Sequence, residues 1–279
     1  MQKAATMMVL VIASLASAAC AEIPTKEVLA PKLMKLSGME EQIRQIPPQI
    51  LSSLAEQKGQ MPADTYASFS QAMRGAFSAE QIEKSAVKQA TANLTVEIMQ
   101  KALDWLESGL GRKITSLEEA ASTPHAVQQI QALAGRLKSV SLPPHRLELI
   151  QRLDSATQAT DLSLSITETA MMAVATALDA IQPKELQVGT DTLKKQLEQQ
   201  RPQLRQNILS MTTAAGLFAY QTLSDVELDR YIEFLESAAG KQYQTGMNAA
   251  LKGALAEASE RAGKNLADAV RTLRMKEGA

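Results

Sequence analysis

This chain has very few of the residues from which recognisable active sites are built. It holds one cysteine, Cys20, and only two histidines, His125 and His145. A single thiol excludes an internal disulfide, and so few soft ligands exclude a Cys/His zinc module. Aromatic residues make up 3% of the 279 positions, with one tryptophan, against 45% hydrophobic residues overall. The core must therefore be assembled from Leu, Ala, Ile, Val and Met. Charge of one sign is missing as well: 29 basic residues face 30 acidic ones, for a net charge of −1. No segment carries the basic stripe that nucleic-acid binding requires, so nucleic acid is not an expected partner. Sustained period-two alternation is absent, which argues against strands. No apolar run reaches the roughly 18 residues of a membrane span. The chain contains no G-x-S-x-G elbow, phosphate-binding loop, G-x-G-x-x-G fingerprint or Cys-His cluster.

What remains is helix-forming material. Ala and Leu are abundant and there are 13 Met, small and unbranched side chains that suit helix-on-helix packing. The sequence predicts an all-α fold.

The clearest internal signal is a motif that occurs twice. Met99 to Arg112 reads MQKALDWLESGLGR, and Leu228 to Lys241 reads LDRYIEFLESAAGK. Trp105 and Phe234, like Gly111 and Gly240, stand 129 positions apart. On a helix, Met99, Ala102, Leu103 and Leu106 form one apolar stripe, as do Leu228, Tyr231, Ile232 and Leu235. Trp105 and Phe234 sit at its edge as aromatic anchors. The glycine either ends the helix in a left-handed cap or lets another helix approach closely. These repeats predict two homologous multi-helix units in tandem, related by a pseudo-twofold axis. The expected boundaries are a signal peptide over 1–21, unit 1 over 22–140 and unit 2 over 141–279.

The first residues carry a targeting pattern. Lys3 precedes a short apolar stretch, Met7 to Leu15, and Ala19-Cys20-Ala21 fits a signal-peptidase site before Glu22. The expectation is a protein exported to the periplasm, with Cys20 leaving in the signal peptide. Acylation of Cys20 is the alternative and would make an outer-membrane lipoprotein. Ser17 stands where such recognition wants Leu, Val or Ile, and membrane association follows only if Cys20 is lipidated.

Capping signals divide the rest. Ser78 with Gln81 and Ser224 with Glu227 read as capping boxes, each with a hydrophobic staple. A long helix carrying the first motif is expected after Ser78, ending near Gly109/Gly111 or running on through Ala121. Thr123-Pro124 and Pro143-Pro144 open helices, and Pro47-Pro48 predicts a bend. The second unit reads as a smoother helix through Ile181. Lys194 to Gln206 reads as part of a longer helix projecting from the body.

The segment Leu223 to Lys241 resembles the bacterial domain-of-unknown-function 2059 family, through Glu227, Leu228, Phe234, Ser237, Gly240 and Lys241. Leu33 to Ile50, LMKLSGMEEQIRQIPPQI, resembles its opening helices. The first motif matches through Trp105, Ser108, Gly111 and Arg112. The resemblance implies a secreted helical protein of Gram-negative bacteria and carries no activity with it.

Reaction chemistry is thin. Asp104/Glu107 and Glu233/Glu236 are carboxylate pairs at i and i+3, read as solvated faces. His125 and His145 follow Pro124 and Pro144 at inter-helix junctions. The leading reading is a non-enzymatic binding or scaffold module presenting a helical groove for a protein segment or an apolar ligand. It names no catalytic, metal or cofactor-binding residue and no cofactor. The competing readings are a metal-assisted hydrolase using His125 or His145 with carboxylates, and a homo-oligomeric structural protein.

Overall fold

A computed structural model of the chain describes residues 24–56, 58–139, 141–181 and 184–277. The signal-peptide reading over 1–21, with Cys20, lies outside the described residues. Among those described, the regular structure is entirely helical, with no strand. The described residues form twelve α-helices and short 3-10 turns. In chain order the helices are α1 (Lys26–Leu36), α2 (Met39–Glu56), α3 (Ala63–Ala76), α4 (Ala79–Asn93), α5 (Val96–Leu106) and α6 (Gly109–Ala121). They continue with α7 (Pro124–Arg136), α8 (Pro144–Thr157), α9 (Ala159–Ile181), α10 (Thr190–Ala219), α11 (Asp225–Glu236) and α12 (Ala238–Glu277). No described helix is long and apolar enough to cross a membrane.

Several boundaries differ from the sequence reading, each for a local reason. Pro47 and Pro48 lie inside a continuous α2. The stripe Ile43, Ile46, Ile50 and Leu54, buried in the core, holds the helix through the two missing amide donors. Ser78 stands at the N-cap of α4 but its hydroxyl makes no capping bond. Phe77 and Ile82 are nevertheless both buried. The long helix expected after Ser78 is divided at Thr95, whose hydroxyl accepts from the Ile98 amide and opens α5 as a separate helix. The smooth second-unit helix is interrupted after Thr157, where Gln158 adopts a left-handed conformation (φ 57°). The break is held because Asp154 accepts from the backbone and hydroxyl of Thr160, at 3.0 and 2.8 Å. The Ser224 box forms as read, with Glu227 reaching back to the Ser224 amide. Thr123 and Pro124 open α7 as expected.

The hydrophobic residues form two clusters that do not follow chain order. The first takes α1 to α5 and then α12, through Tyr243, Met247, Leu251, Leu255 and Leu266. The second joins α8, the end of α10 and α11 to Ile114 of α6. Each cluster thus receives one helix from the other half of the chain. The 40-residue α12 carries a buried stripe of Ala250, Ala254, Ala258 and Ala262, whose small side chains allow close packing against α3 and α4. Its polar residues finish the contact. Glu257 accepts from Ser85 at 2.7 Å and Gln89 at 3.2 Å, while Arg261 and Asn265 donate to the Ala76 and Ala72 carbonyls of α3. α9 and α10 form a hairpin tied by Arg201–Glu168 and Arg205–Asp161, and residues 190–206 of α10 are largely exposed.

Candidate functional site

The repeated motif builds the same corner twice. α5 and α11 each stop one residue before or at the Glu of Leu-Glu-Ser, and the serine caps the next helix. Ser108 Oγ accepts from the Gly111 amide at 2.9 Å, and Ser237 Oγ from the Gly240 amide at 3.0 Å. The helix emerging from the corner presses its first turn on the last turn of the helix before it. A Cβ on Gly111 would lie 2.9 Å from Leu106 Cα and collide with the Trp105 carbonyl. A Cβ on Gly240 would lie 2.8 Å from Leu235 Cα and collide with the Phe234 carbonyl. Of the two sequence readings for this glycine, close approach is the one realised; neither glycine has a positive φ. At each corner the motif glutamate pairs with a basic side chain, Lys32–Glu107 at 2.6 Å and Arg152–Glu236 at 2.8 Å. Glu107 and Glu236 are 129 positions apart, and Lys32 and Arg152 are 120 apart. Asp104 and Glu233 are exposed, so the motif carboxylates lie on solvated faces.

The two corners meet through their aromatic anchors. Trp105 stacks on Phe234 with ring centroids 4.6 Å apart and planes 7° from parallel. It lies parallel to Tyr231 at 6.2 Å, and Tyr231 meets Tyr220 edge-on at 6.2 Å. Such contacts contribute about 0.5–1.5 kcal/mol each beyond burial. A chain with four Tyr, four Phe and one Trp thus gathers Trp105, Tyr220, Tyr231, Phe234 and Tyr243 in one place.

Beside this stack is a cavity of about 330 Å³, open to solvent over part of its boundary. α6 and α12, the helices leaving the two corners, supply equivalent positions to its wall: Ile114 and Tyr243, Thr115 and Gln244, Glu118 and Met247. Leu106, Leu153, Ile130 and Ile150 add aliphatic wall. At the polar end, Glu118 Oε1 accepts from the Tyr220 hydroxyl at 2.5 Å and the Tyr231 hydroxyl at 3.2 Å. Its Oε2 has no hydrogen-bond partner among the described residues. Burial pushes the Glu118 carboxyl above its ordinary value; the two tyrosine hydrogen bonds only partly oppose it. The same burial, beside the Glu118 charge, pushes Tyr220 and Tyr231 well above the ordinary phenol range, so both remain neutral donors. Asp154, the other carboxylate on the wall, is spent on Thr160.

The histidines stand elsewhere. His125 and His145 are exposed near the N-termini of α7 and α8, and His145 lies 3.8 Å from Glu148 of its own helix. Among the described residues no three His, Cys, Asp or Glu side chains come together as a metal site. Sequence reasoning missed Glu118, which in KITSLEEAAS looks like any surface glutamate. The signal that finds it is a comparison of the two motifs: 129 positions before Met247 stands a carboxylate. Compared with known proteins, the chain matches no protein-family model, no curated protein and no solved structure.

Proposed function

We propose that this protein is a non-enzymatic binding module that holds a small, largely apolar molecule in the cavity between its two motif corners. The observation that carries the reading is the cavity itself, at about 330 Å³. That volume is near the lower end for small-molecule pockets and too narrow for a partner helix about 10 Å across. Its wall combines aromatic and aliphatic side chains with polar ones such as Gln42, Thr115, Thr212 and Gln244, apolar surface to hold a body and polar groups to orient it. The corners give the pocket a rigid frame, because their backbones are in direct contact at Gly111 and Gly240. We further propose that the corners descend from one duplicated helical unit, in keeping with the shared caps, glycines and ion pairs. The resemblance to the domain-of-unknown-function 2059 family and the export signal support, in our reading, a periplasmic location in a Gram-negative bacterium.

Native mass spectrometry of the protein purified from periplasm tests the reading. The expected result is a small-molecule adduct that survives gentle ionisation and disappears on denaturation. Recovery as a stable complex with another polypeptide, with the cavity empty and indifferent to added amphiphiles, would overturn it.

A further inference from the structure

The charge pattern of the cavity narrows the ligand class. Among the described residues its wall holds two carboxylates, Glu118 and Asp154, and not one Lys, Arg or His, in a chain whose basic and acidic residues are nearly equal in number. No described cationic side chain forms an ion pair with Glu118. Asp154 has its donors in Thr160, whereas Glu118 keeps Oε2 without a described protein donor. The tyrosine hydroxyls fix the other oxygen and leave Oε2 for whatever enters. Tyr220 and Tyr231 reach the carboxylate through their hydroxyls, with Trp105 and Phe234 adjoining, an aromatic setting that suits an organic cation. A hard metal ion would want several charged oxygen ligands, and among the described residues no three His, Cys, Asp or Glu side chains come together here. Glu118 is half-buried and has no described counter-ion, and a bound cation would supply one.

Resting on the binding reading above, we propose that the ligand is a small organic monocation: an ammonium group on an apolar body, its charge held by Glu118 and its body by the aromatic wall. The cavity of about 330 Å³ is of a size to take a free small amine. Tyr220 and Tyr231 act as positioning residues, because their hydrogen bonds orient the carboxylate.

The test is isothermal calorimetry on the full chain with hexylammonium, hexanol and hexanoate, repeated on Glu118→Gln. Trp105, the only tryptophan, lies in the cavity wall and gives an independent fluorescence readout. The expected result is that the ammonium binds tightest and weakens by at least about tenfold in Glu118→Gln, as loss of a contact to a charged group implies. Hexanol should bind both proteins alike. Equal binding of ammonium and alcohol, unchanged by Glu118→Gln, overturns the cation proposal while leaving the binding reading intact. Preference for hexanoate overturns it as well. Failure of all three probes to bind or to quench Trp105 removes both readings. A Glu118→Gln chain that does not fold is replaced by the Tyr220→Phe/Tyr231→Phe double variant, which keeps the carboxylate. Unchanged ammonium affinity there counts against the proposal, and a selective loss relative to hexanol supports it.

Discussion

The corner at Ser108–Gly111 and the corner at Ser237–Gly240 share a frame and differ in what the frame presents. Both use a serine cap, a glycine pressed on the preceding backbone and a basic residue paired with the motif glutamate. The divergence lies one to two turns further along the emerging helix. Where α12 offers Tyr243 and Met247 to the cavity, α6 offers Ile114 and Glu118. The α5 stripe has Ala102 where α11 has Tyr231. The residues that close the backbone match at the two corners and those facing the cavity differ. One side therefore supplies the acid, and the other supplies the phenols that hold it. Strict symmetry would give either two facing carboxylates, which repel, or none. The asymmetry makes the carboxylate tolerable.

The most severe way to break this comparison is to restore symmetry the wrong way. Met247→Glu puts a second carboxylate at a position 1% exposed. It should destabilise by about 3–5 kcal/mol, the cost of an uncompensated buried charge, measured by urea unfolding at neutral pH. A near-neutral result would mean that the cavity is far more hydrated than its walls indicate.

Next come the glycines. Gly111→Ala and Gly240→Ala should each cost about 3 kcal/mol, the upper end for overpacking, because the new methyl meets backbone that cannot swing aside. Gly109→Ala, with nothing within 4 Å of where its methyl would stand, should be neutral or slightly stabilising. If Gly111 tolerates Ala and Gly240 does not, the corners are not equivalent. Ser108→Ala and Ser237→Ala remove matching caps and should each cost about 1 kcal/mol. Thermal melts of the two variants side by side would expose any inequality.

The finest test is pH. The Glu118 carboxyl is raised by burial, so its ionisation opposes folding. Its effect on stability is absent well below the ordinary carboxyl value and appears as pH rises through its elevated folded value. The titratable groups around it are Tyr220, Tyr231 and Tyr243, Asp154 on the cavity wall and neighbouring Glu119. Burial keeps the three phenols neutral across that range. Glu118→Gln should therefore be the more stable protein above the transition, with the gap closing on acidification. Glu227 has the opposite sign. Its bonds to Lys113 and Ser224 lower its pKa to about 2, so its contribution is present above the ordinary value of 4.5 and is lost as pH falls toward 2. Stability curves of both variants should thus leave the parent curve as pH rises and rejoin it on acidification, Glu118→Gln running above the parent and Glu227→Gln below it. Parallel curves would contradict both assignments.

Much of this organisation is written locally. The helical class follows from apolar spacing and from the scarcity of aromatics and strand patterns. The caps at Thr123 and Ser224 are short-range chemistry, legible from neighbouring residues, and so is the repeated stripe with its aromatic anchor. What failed was also local in form but tertiary in cause. Pro47-Pro48 reads as a break until the burial of Ile43, Ile46, Ile50 and Leu54 is known. The Thr157–Gln158 turn is held in part by Gln244 and Asn248, which reach from α12 to the Thr157 carbonyl, a link between residues far apart in the chain.

The sequence by itself determined the two corners, because cap, glycine and stripe act within a dozen residues of one another. Only the tertiary structure decided that α6 and α12 cross to the opposite clusters, that Trp105 stacks on Phe234, and that Glu118 points its acid at two tyrosines from the other half of the chain. Those outcomes depend on which faces find one another in space, and desolvation, which turns an ordinary glutamate into a site, exists only once they have.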